Sequence, residues 1–419
     1  MIVRVFKLFL LVMLVAVTPV MAQTDDTVVD NDESNTPDSV SVDTTHVMSS
    51  LPWPQNIKVK LDKLMTSKMF ETSQLGMEIY DLTDDSVIYK INENMLLRPA
   101  STMKLITAIT AIDKLGGSYQ FRTSLYYTGK ISNKTLNGDL YCVGGFDPRF
   151  NSDDMNAFVE SLHRMGVDTI RGRLCGDLSM KDTAKLGEGW CWDDENPTLT
   201  PLLISRKDLF MDRFRQALLN DSVHVDAITS TGALPNGAFS ICTRFHTIDQ
   251  ILMNMMKESD NLYAESMFYQ IAASTGNRPA TARSARAIIR QLIKKVGLDP
   301  RGYRIADGSG LSLYNYISPE LEIRFLKYAY DNSNIYLHLY PSLPIAGQDG
   351  TLKNRMRGSF TDGNVHAKTG TVTGISSLSG YCTASNGHKL CFCIINQGLL
   401  HGKNGRAFQD RVCSILCQP

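Results

Sequence analysis

The chain has 419 residues, 43% hydrophobic and 21% charged, with 43 basic and 43 acidic side chains. That is an ordinary composition for a globular protein, and the chain is long enough for two or three domains. Setting aside the first 50 residues, with two basic and seven acidic side chains, leaves about five net positive charges, which suits a nearby anionic polymer and does not point to nucleic acid.

In chain order, Arg4 and Lys7 precede an apolar run from Leu8 to Val17, and Val20-Met21-Ala22 offers small residues for cleavage. Residues 1–22 read as a secretory signal peptide, cleaved near Ala22, and place the protein in the periplasm. The run is too short for a stable span, so any membrane association is expected to be loose. No cysteine follows it closely, which argues against a lipid anchor. Residues 23–50, rich in Asp, Ser and Thr, read as a disordered acidic linker.

Residues 75–92 alternate apolar and polar around Ile79, Tyr80, Val87 and Ile88, the pattern of a β-hairpin. A helix follows, opened by Pro99 and Ser101. From about Gln120 to Ile241, short β-like stretches are broken by Gly and Asn, with helical segments at "MNAFVESLHRMGV" and near "RFRQALLN". Helical periodicity returns at "IDQILMNMMKE", "NLYAESMFYQIAA" and "SARAIIRQLIKKVGL", and Ser318-Pro319-Glu320 signals another helix start. "NVHAKTGTVTGISSLSGY" and "KLCFCIINQ" read as antiparallel strands, with a closing helix. The implied organisation is one α/β unit built from residues 51–120 and 242–419, interrupted by an inserted, mostly β domain at 121–241. A small-molecule site is expected at the seam between sheet and helices.

Nine cysteines in an exported chain suggest some disulfides and at least one free thiol. Cys382 and Cys391 could face each other across a hairpin, and Cys413 and Cys417 lie one turn apart on a helical tail. No metal-ligand spacing emerges, and neither a metal nor a cofactor is expected.

Three short motifs carry the chemistry. In "PASTMKLITAITAI", Ser101 and Lys104 are one helical turn apart. Ser101 can be a helix cap and Lys104 a snorkelling side chain. However, Leu105 to Ile112 holds no charge and is apolar around most of the helix, so this helix is expected to be buried. Desolvation would lower the pKa of Lys104, as a lysine base requires, and the i, i+3 spacing brings its amine to the Ser101 hydroxyl. In "KESDNLYAE", Ser259-Asp260-Asn261 is either a capped interhelical turn or a proton-relaying hydroxyl with a substrate-orienting amide. In "HAKTGTVTGISSLSGY", Lys368 is either an edge-strand charge or a cation lining a cleft. Thr369 and Gly370 favour the second, because a ligand's backbone or carboxylate could lie against the strand.

The order SxxK, SDN, KTG on helix, loop and strand is shared by penicillin-binding proteins and class A β-lactamases. With "GGFDPRF", "GWCWDDENP", "DGSGLSLYNYISP" and "LPIAGQDGTL", the chain resembles the low-molecular-weight class C penicillin-binding proteins, the D-alanyl-D-alanine carboxypeptidase/endopeptidases, over roughly residues 51–400. The resemblance implies an α/β fold: a β-lactamase/transpeptidase-like domain, an antiparallel sheet flanked by helices, carrying the inserted domain. It implies that Ser101 is acylated by peptidoglycan stem peptides and by β-lactam antibiotics. Lys104 would be the general base, Ser259 the proton shuttle and Asn261 the orienting amide. Lys368 and Thr369 would bind the terminal carboxylate, and the N–H groups of Ser101 and Thr371 would form the oxyanion hole. Asp194 matches an aspartate that holds the amine of diaminopimelate.

Two departures stand out. Leu313 occupies a position where relatives often carry a basic residue for the diaminopimelate carboxylate. The 158 positions from Ser101 to Ser259 are too few for the third domain of the best-known relatives. Other readings fit less well. A class A β-lactamase has its SDN much closer to SxxK and needs a deacylating glutamate, for which no motif is present. A non-catalytic scaffold would not keep all three motifs. A Ser-His-Asp hydrolase would need a G-x-S-x-G elbow, and His366 is more simply a strand residue.

Overall fold

The computed structural model describes residues 51–191 and 196–418. The expected signal peptide and acidic linker, and Asp194, lie outside the described residues.

The first sheet has five antiparallel strands in the order β10 (His366–Val372), β11 (Ile375–Thr383), β12 (Lys389–Gln397), β1 (Gln74–Asp81) and β2 (Ser86–Ile91). Its central strand explains the long apolar run "LCFCIIN". Leu390, Phe392 and Ile394 pack on one face against α1 (Gln55–Met65) and α10 (Gly402–Cys417), with Ile57, Leu61, Val412 and Leu416. Cys391, Cys393 and Ile395 face a helical layer on the other side. A strand covered on both faces loses its alternation because every position is interior.

That helical layer surrounds α2 (Met103–Leu115), with α5 (Ile248–Lys257), α6 (Asn261–Ala273), α7 (Ala282–Lys295), α8 (Pro319–Asp331) and α9 (Ser333–Ser342). Every residue of α2 from Met103 to Ile112 is buried, as its uncharged sequence leads one to expect. α8 starts where its Ser-Pro-Glu signal places it, with the Ser318 side chain accepting from the Leu321 N–H at 3.2 Å.

A second sheet lies between α2 and α5. Its order is β4 (Lys130–Ser132), β5 (Thr135–Asn137), β7 (Thr169–Asp177), β6 (Leu140–Val143), β3 (Gln120–Tyr127), β9 (Phe239–Thr247), with β8 (His224–Thr231) paired along β7. The β7 pairings with β5, β6 and β8 are parallel, and the crossovers from β6 to β7 and from β7 to β8 carry α3 (Ser152–Arg164) and α4 (Phe210–Asn220). Leu125, Phe150, Phe158, Leu174, Phe214 and Leu218 form its core. β9 runs directly into α5 through a capping box of Thr247 and Gln250.

The disulfide expectation is corrected. All nine cysteines are free thiols and seven are buried. The register pairs Tyr381 with Cys391 and Cys382 with Leu390, so Cys382 and Cys391 project from opposite faces of the sheet. Cys413 and Cys417 share one face of α10 as apolar fillers. Among the described residues no helix is long and apolar enough to cross a membrane.

Candidate active site

The nucleophile turn is built by its neighbours. Leu97 and Ile317 exchange backbone hydrogen bonds at 2.8 and 3.0 Å, fixing the approach to Pro99. Ala100 then adopts a left-handed conformation, φ 50°, and Ala100–Thr102 form one 3₁₀ turn before α2 begins. Ser101 therefore does not cap the helix: Thr102 holds the N-cap position and no side chain makes a cap bond. Freed from capping, the Ser101 hydroxyl turns to Lys104. The Thr102 hydroxyl donates to Glu322 Oε1 at 2.6 Å and that of Ser377 to the Pro99 carbonyl at 2.6 Å, clamping the turn on both sides.

Lys104 is wholly buried. Its Nζ lies 2.9 Å from Ser101 Oγ, 2.8 Å from Asn261 Oδ1 and 2.8 Å from the Ser309 carbonyl. Burial lowers its pKa to about 8, against the pull of the carboxylates of Asp307, Glu265 and Asp260. A lysine so placed is partly neutral near pH 7, and its lone pair can accept the Ser101 proton.

Asp260 caps α6, its Oδ1 accepting from the Leu262 and Tyr263 N–H groups at 2.9 and 3.3 Å, and this places Asn261 at the first helical position. Ser259, at φ 57°, turns its hydroxyl to Lys368 Nζ at 2.8 Å. Lys368 is also fully buried, donates to the Thr369 carbonyl at 2.7 Å, and has its pKa driven well down by burial and by Lys104. Two lysine side chains thus approach the serines of two different motifs.

β10 is an edge strand. The Ala367 N–H points outward to the Pro344 carbonyl at 3.0 Å, so by strand alternation those of Thr369 and Thr371 also point away from β11. Thr371 is exposed, and the Thr369 hydroxyl donates to Thr351 at 2.7 Å. Gly370 has a packing role that the sequence reading did not give it. A Cβ there would lie 2.1 Å from Ser377 Oγ, 2.7 Å from the Pro99 carbonyl and 3.0 Å from the Ser101 nitrogen. The missing side chain lets the strand press against the nucleophile turn. Gly370→Ala is expected to lower stability by about 1–3 kcal/mol and to displace Ser101. Thermal melts and a β-lactam labelling rate slowed at least about tenfold would show both effects.

Sequence reasoning missed two buried acids behind Lys104. Glu265 Oε1 accepts from the N–H groups of Gly308 and Ser309 at 3.0 and 2.8 Å, and so positions the carbonyl that holds Lys104. Its pKa is raised to about 8, first by burial and then by Asp307. Asp307 accepts from Gly310, Ser312, Asn315 and the Trp190 indole at 2.7–2.8 Å, organising the whole 307–315 loop. The signal was present: each is a lone acid in an otherwise uncharged stretch. Leu313 is exposed on this loop, and its carbonyl accepts from Arg98 at 3.0 Å. His366 stacks on Tyr340 with ring centroids 4.2 Å apart, and forms no dyad with Ser101.

A cleft of about 660 Å³ opens beside Asn261, lined also by Arg206, Lys207, Glu258 and Asp260. A larger cavity of about 910 Å³, walled by Tyr119, Arg122, Asp177 and Gln270, contains none of the motif residues. Of the two, only the smaller cleft touches a motif residue: Asn261, which accepts from the buried Lys104 at 2.8 Å, stands at its wall.

Comparison with known proteins gives the family and the fold. The sequence profile of the D-Ala-D-Ala carboxypeptidase 3 (S13) family matches residues 57–202 and 203–418. The chain is 26% identical over 433 residues to the D-alanyl-D-alanine carboxypeptidase DacB of Haemophilus influenzae, covering 83% of this chain and 89% of that one. It is 24% identical over 461 residues to the D-alanyl-D-alanine carboxypeptidase of an Actinomadura species, covering 86% and 84%. The fold is similar to the crystal structure of penicillin binding protein 4 from Haemophilus influenzae, with a TM-score of 0.74 at 23% identity, over 85% of this chain and 97% of that one. That protein has also been crystallised in complex with a β-lactam. Matched along both its halves, the chain belongs to the D-Ala-D-Ala carboxypeptidase 3 (S13) family.

Proposed function

We propose that Ser101 is the nucleophile of a serine-type D-Ala-D-Ala carboxypeptidase acting on peptidoglycan stem peptides. The observation that carries this is the 2.9 Å contact between Ser101 Oγ and the buried, pKa-lowered Lys104. Neutral Lys104 takes the hydroxyl proton as Oγ adds to the carbonyl between the two D-alanines. The oxyanion is held by the N–H groups of Ser101 and Thr371, a role supported by the outward edge of β10. The C–N bond then breaks as the departing D-Ala amine takes the proton of the Ser259 hydroxyl, which Lys368 contacts at 2.8 Å, and the proton held by Lys104 passes on to restore Ser259 and leaves Lys104 neutral again. Water, with Lys104 again as base, cleaves the ester and regenerates Ser101.

Asn261 orients the acyl chain, while Lys368 and Thr369 hold the terminal carboxylate beside the bare Gly370 backbone. Asp194 contacts the amine of the donor side chain. A β-lactam presents the same carbonyl and carboxylate but keeps its leaving amine tethered, so the ester persists. When the leaving amine belongs to a second stem peptide, the same steps are DD-endopeptidase activity. The proposal includes export to the periplasm by residues 1–22 and the division of the folded chain into 51–120, 121–241 and 242–419. Release of D-Ala from a pentapeptide by the wild type, and its loss in Ser101→Ala, tests the reading; a wild type that releases none refutes it.

A further inference from the structure

We propose that Arg206, supplied by the chain that follows the second sheet's β7, is a positioning residue for the catalytic loop: it holds Asp260 so that Asn261, and through it Lys104, keep their places. This rests on the reading of Lys104 as the base.

Ile204 and Lys207 exchange backbone hydrogen bonds at 3.1 and 3.0 Å and close a two-residue turn. Its central residues, Ser205 at φ 47° and Arg206 at φ 70°, are both left-handed. Such turns ordinarily use Asn-Gly or Asp-Gly, because a β-carbon is strained there. Neither residue here relieves that strain. The turn is nevertheless firmly seated: the Ser205 N–H donates to the Phe150 carbonyl at 2.9 Å, and Ile204 belongs to the core of the second sheet. Strain retained on a rigid base is a reason to ask what the turn delivers.

It delivers a guanidinium to Asp260. Arg206 pairs with Asp260 Oδ2 and lies 5.9 Å from the centroid of the Tyr263 ring. The Asp260 side chain is only 7% exposed, and its other oxygen caps α6. One carboxylate therefore joins the turn to the helix whose first residue accepts from Lys104 at 2.8 Å.

The ion pair also has an electrostatic consequence. The titratable groups facing Lys104 are Asp307 from the 307–315 loop, Glu265 from α6, Asp260 from the loop before α6 and Lys368 from β10. Arg206 offsets the charge of Asp260. Without it, Asp260 stabilises the Lys104 ammonium more strongly, and the amine becomes neutral only at higher pH.

The test measures the rate of acylation by a fluorescent penicillin between pH 6 and 10, with thermal melts, for wild type, Arg206→Ala, Arg206→Lys and Arg206→Gly. Wild-type labelling establishes the underlying reading independently. Arg206→Ala is expected to acylate about tenfold more slowly at pH 7, with its acid limb moved to higher pH. Arg206→Lys should restore most of the rate, and Arg206→Gly should be slow yet melt no lower than wild type, because glycine relieves the strained φ. Wild-type rates in Arg206→Ala, or a loss equal at every pH that follows a fall in melting temperature, would overturn the proposal.

Discussion

Lys104→Ala is expected to slow acylation of Ser101 by about a thousandfold, within the range a general base supplies, while the chain stays folded. The helix around Lys104 is held by apolar packing from Met103 to Ile112, which this substitution leaves intact. The same account fixes the pH dependence. With the pKa of Lys104 lowered to about 8, acylation by the wild type should rise with pH and level off above about 8. The sign follows from the role: a base must be neutral, so protonation at low pH removes activity. A small primary amine added to Lys104→Ala should restore part of the rate, because it can occupy the vacated space and accept the same proton. Stopped-flow acylation by a chromogenic cephalosporin reads all three. A rate within tenfold of wild type, or a flat profile from pH 6 to 9, would assign the base elsewhere.

Lys368→Ala should lower kcat/KM for a peptide ending in D-Ala-D-Ala by about a hundredfold. The loss should depend on the substrate. Lys368 donates to Ser259 and to the Thr369 carbonyl, and an incoming carboxylate supplies the counter-charge that favours its ammonium form, whose third N–H can donate to that carboxylate. The wild type should prefer a free C-terminal carboxylate over its amide, and Lys368→Ala should lose that preference. If the variant still discriminates, the carboxylate is bound elsewhere and Lys368 serves only to orient Ser259.

Much of this site was legible before the fold was known, and for identifiable reasons. The burial of Lys104 followed from an uncharged helix, since a helix apolar on all sides has no face to offer water. The hairpin at 75–92 and the strands carrying Lys368 followed from alternation and turn residues, which act locally. What was not legible depended on the opposite side of the fold. A serine at this position can cap a helix or react, and the choice depends on distant contacts: Ser377 and Glu322, far along the chain, clamp a 3₁₀ turn in which Ser101 makes no cap bond. The close packing of Gly370 against Pro99 and Ser101 depends on a turn roughly 270 positions away, and no local pattern carries it. Cys382 and Cys391 looked like hairpin partners until the register put them one residue out of step. Glu265 and Asp307 act through backbone N–H groups of the 307–315 loop, and no spacing rule announces such a contact. Arg206 lies 54 positions from its partner Asp260, beyond the reach of any local pattern.

The central claim is that Ser101 is the residue that becomes acylated. Intact-mass measurement of the protein after incubation with penicillin, followed by peptide mapping, tests it directly. The account predicts one penicilloyl group per chain, located on the peptide containing Ser101 and absent in Ser101→Ala. A label on another residue, or equal labelling of the wild type and Ser101→Ala, would contradict it.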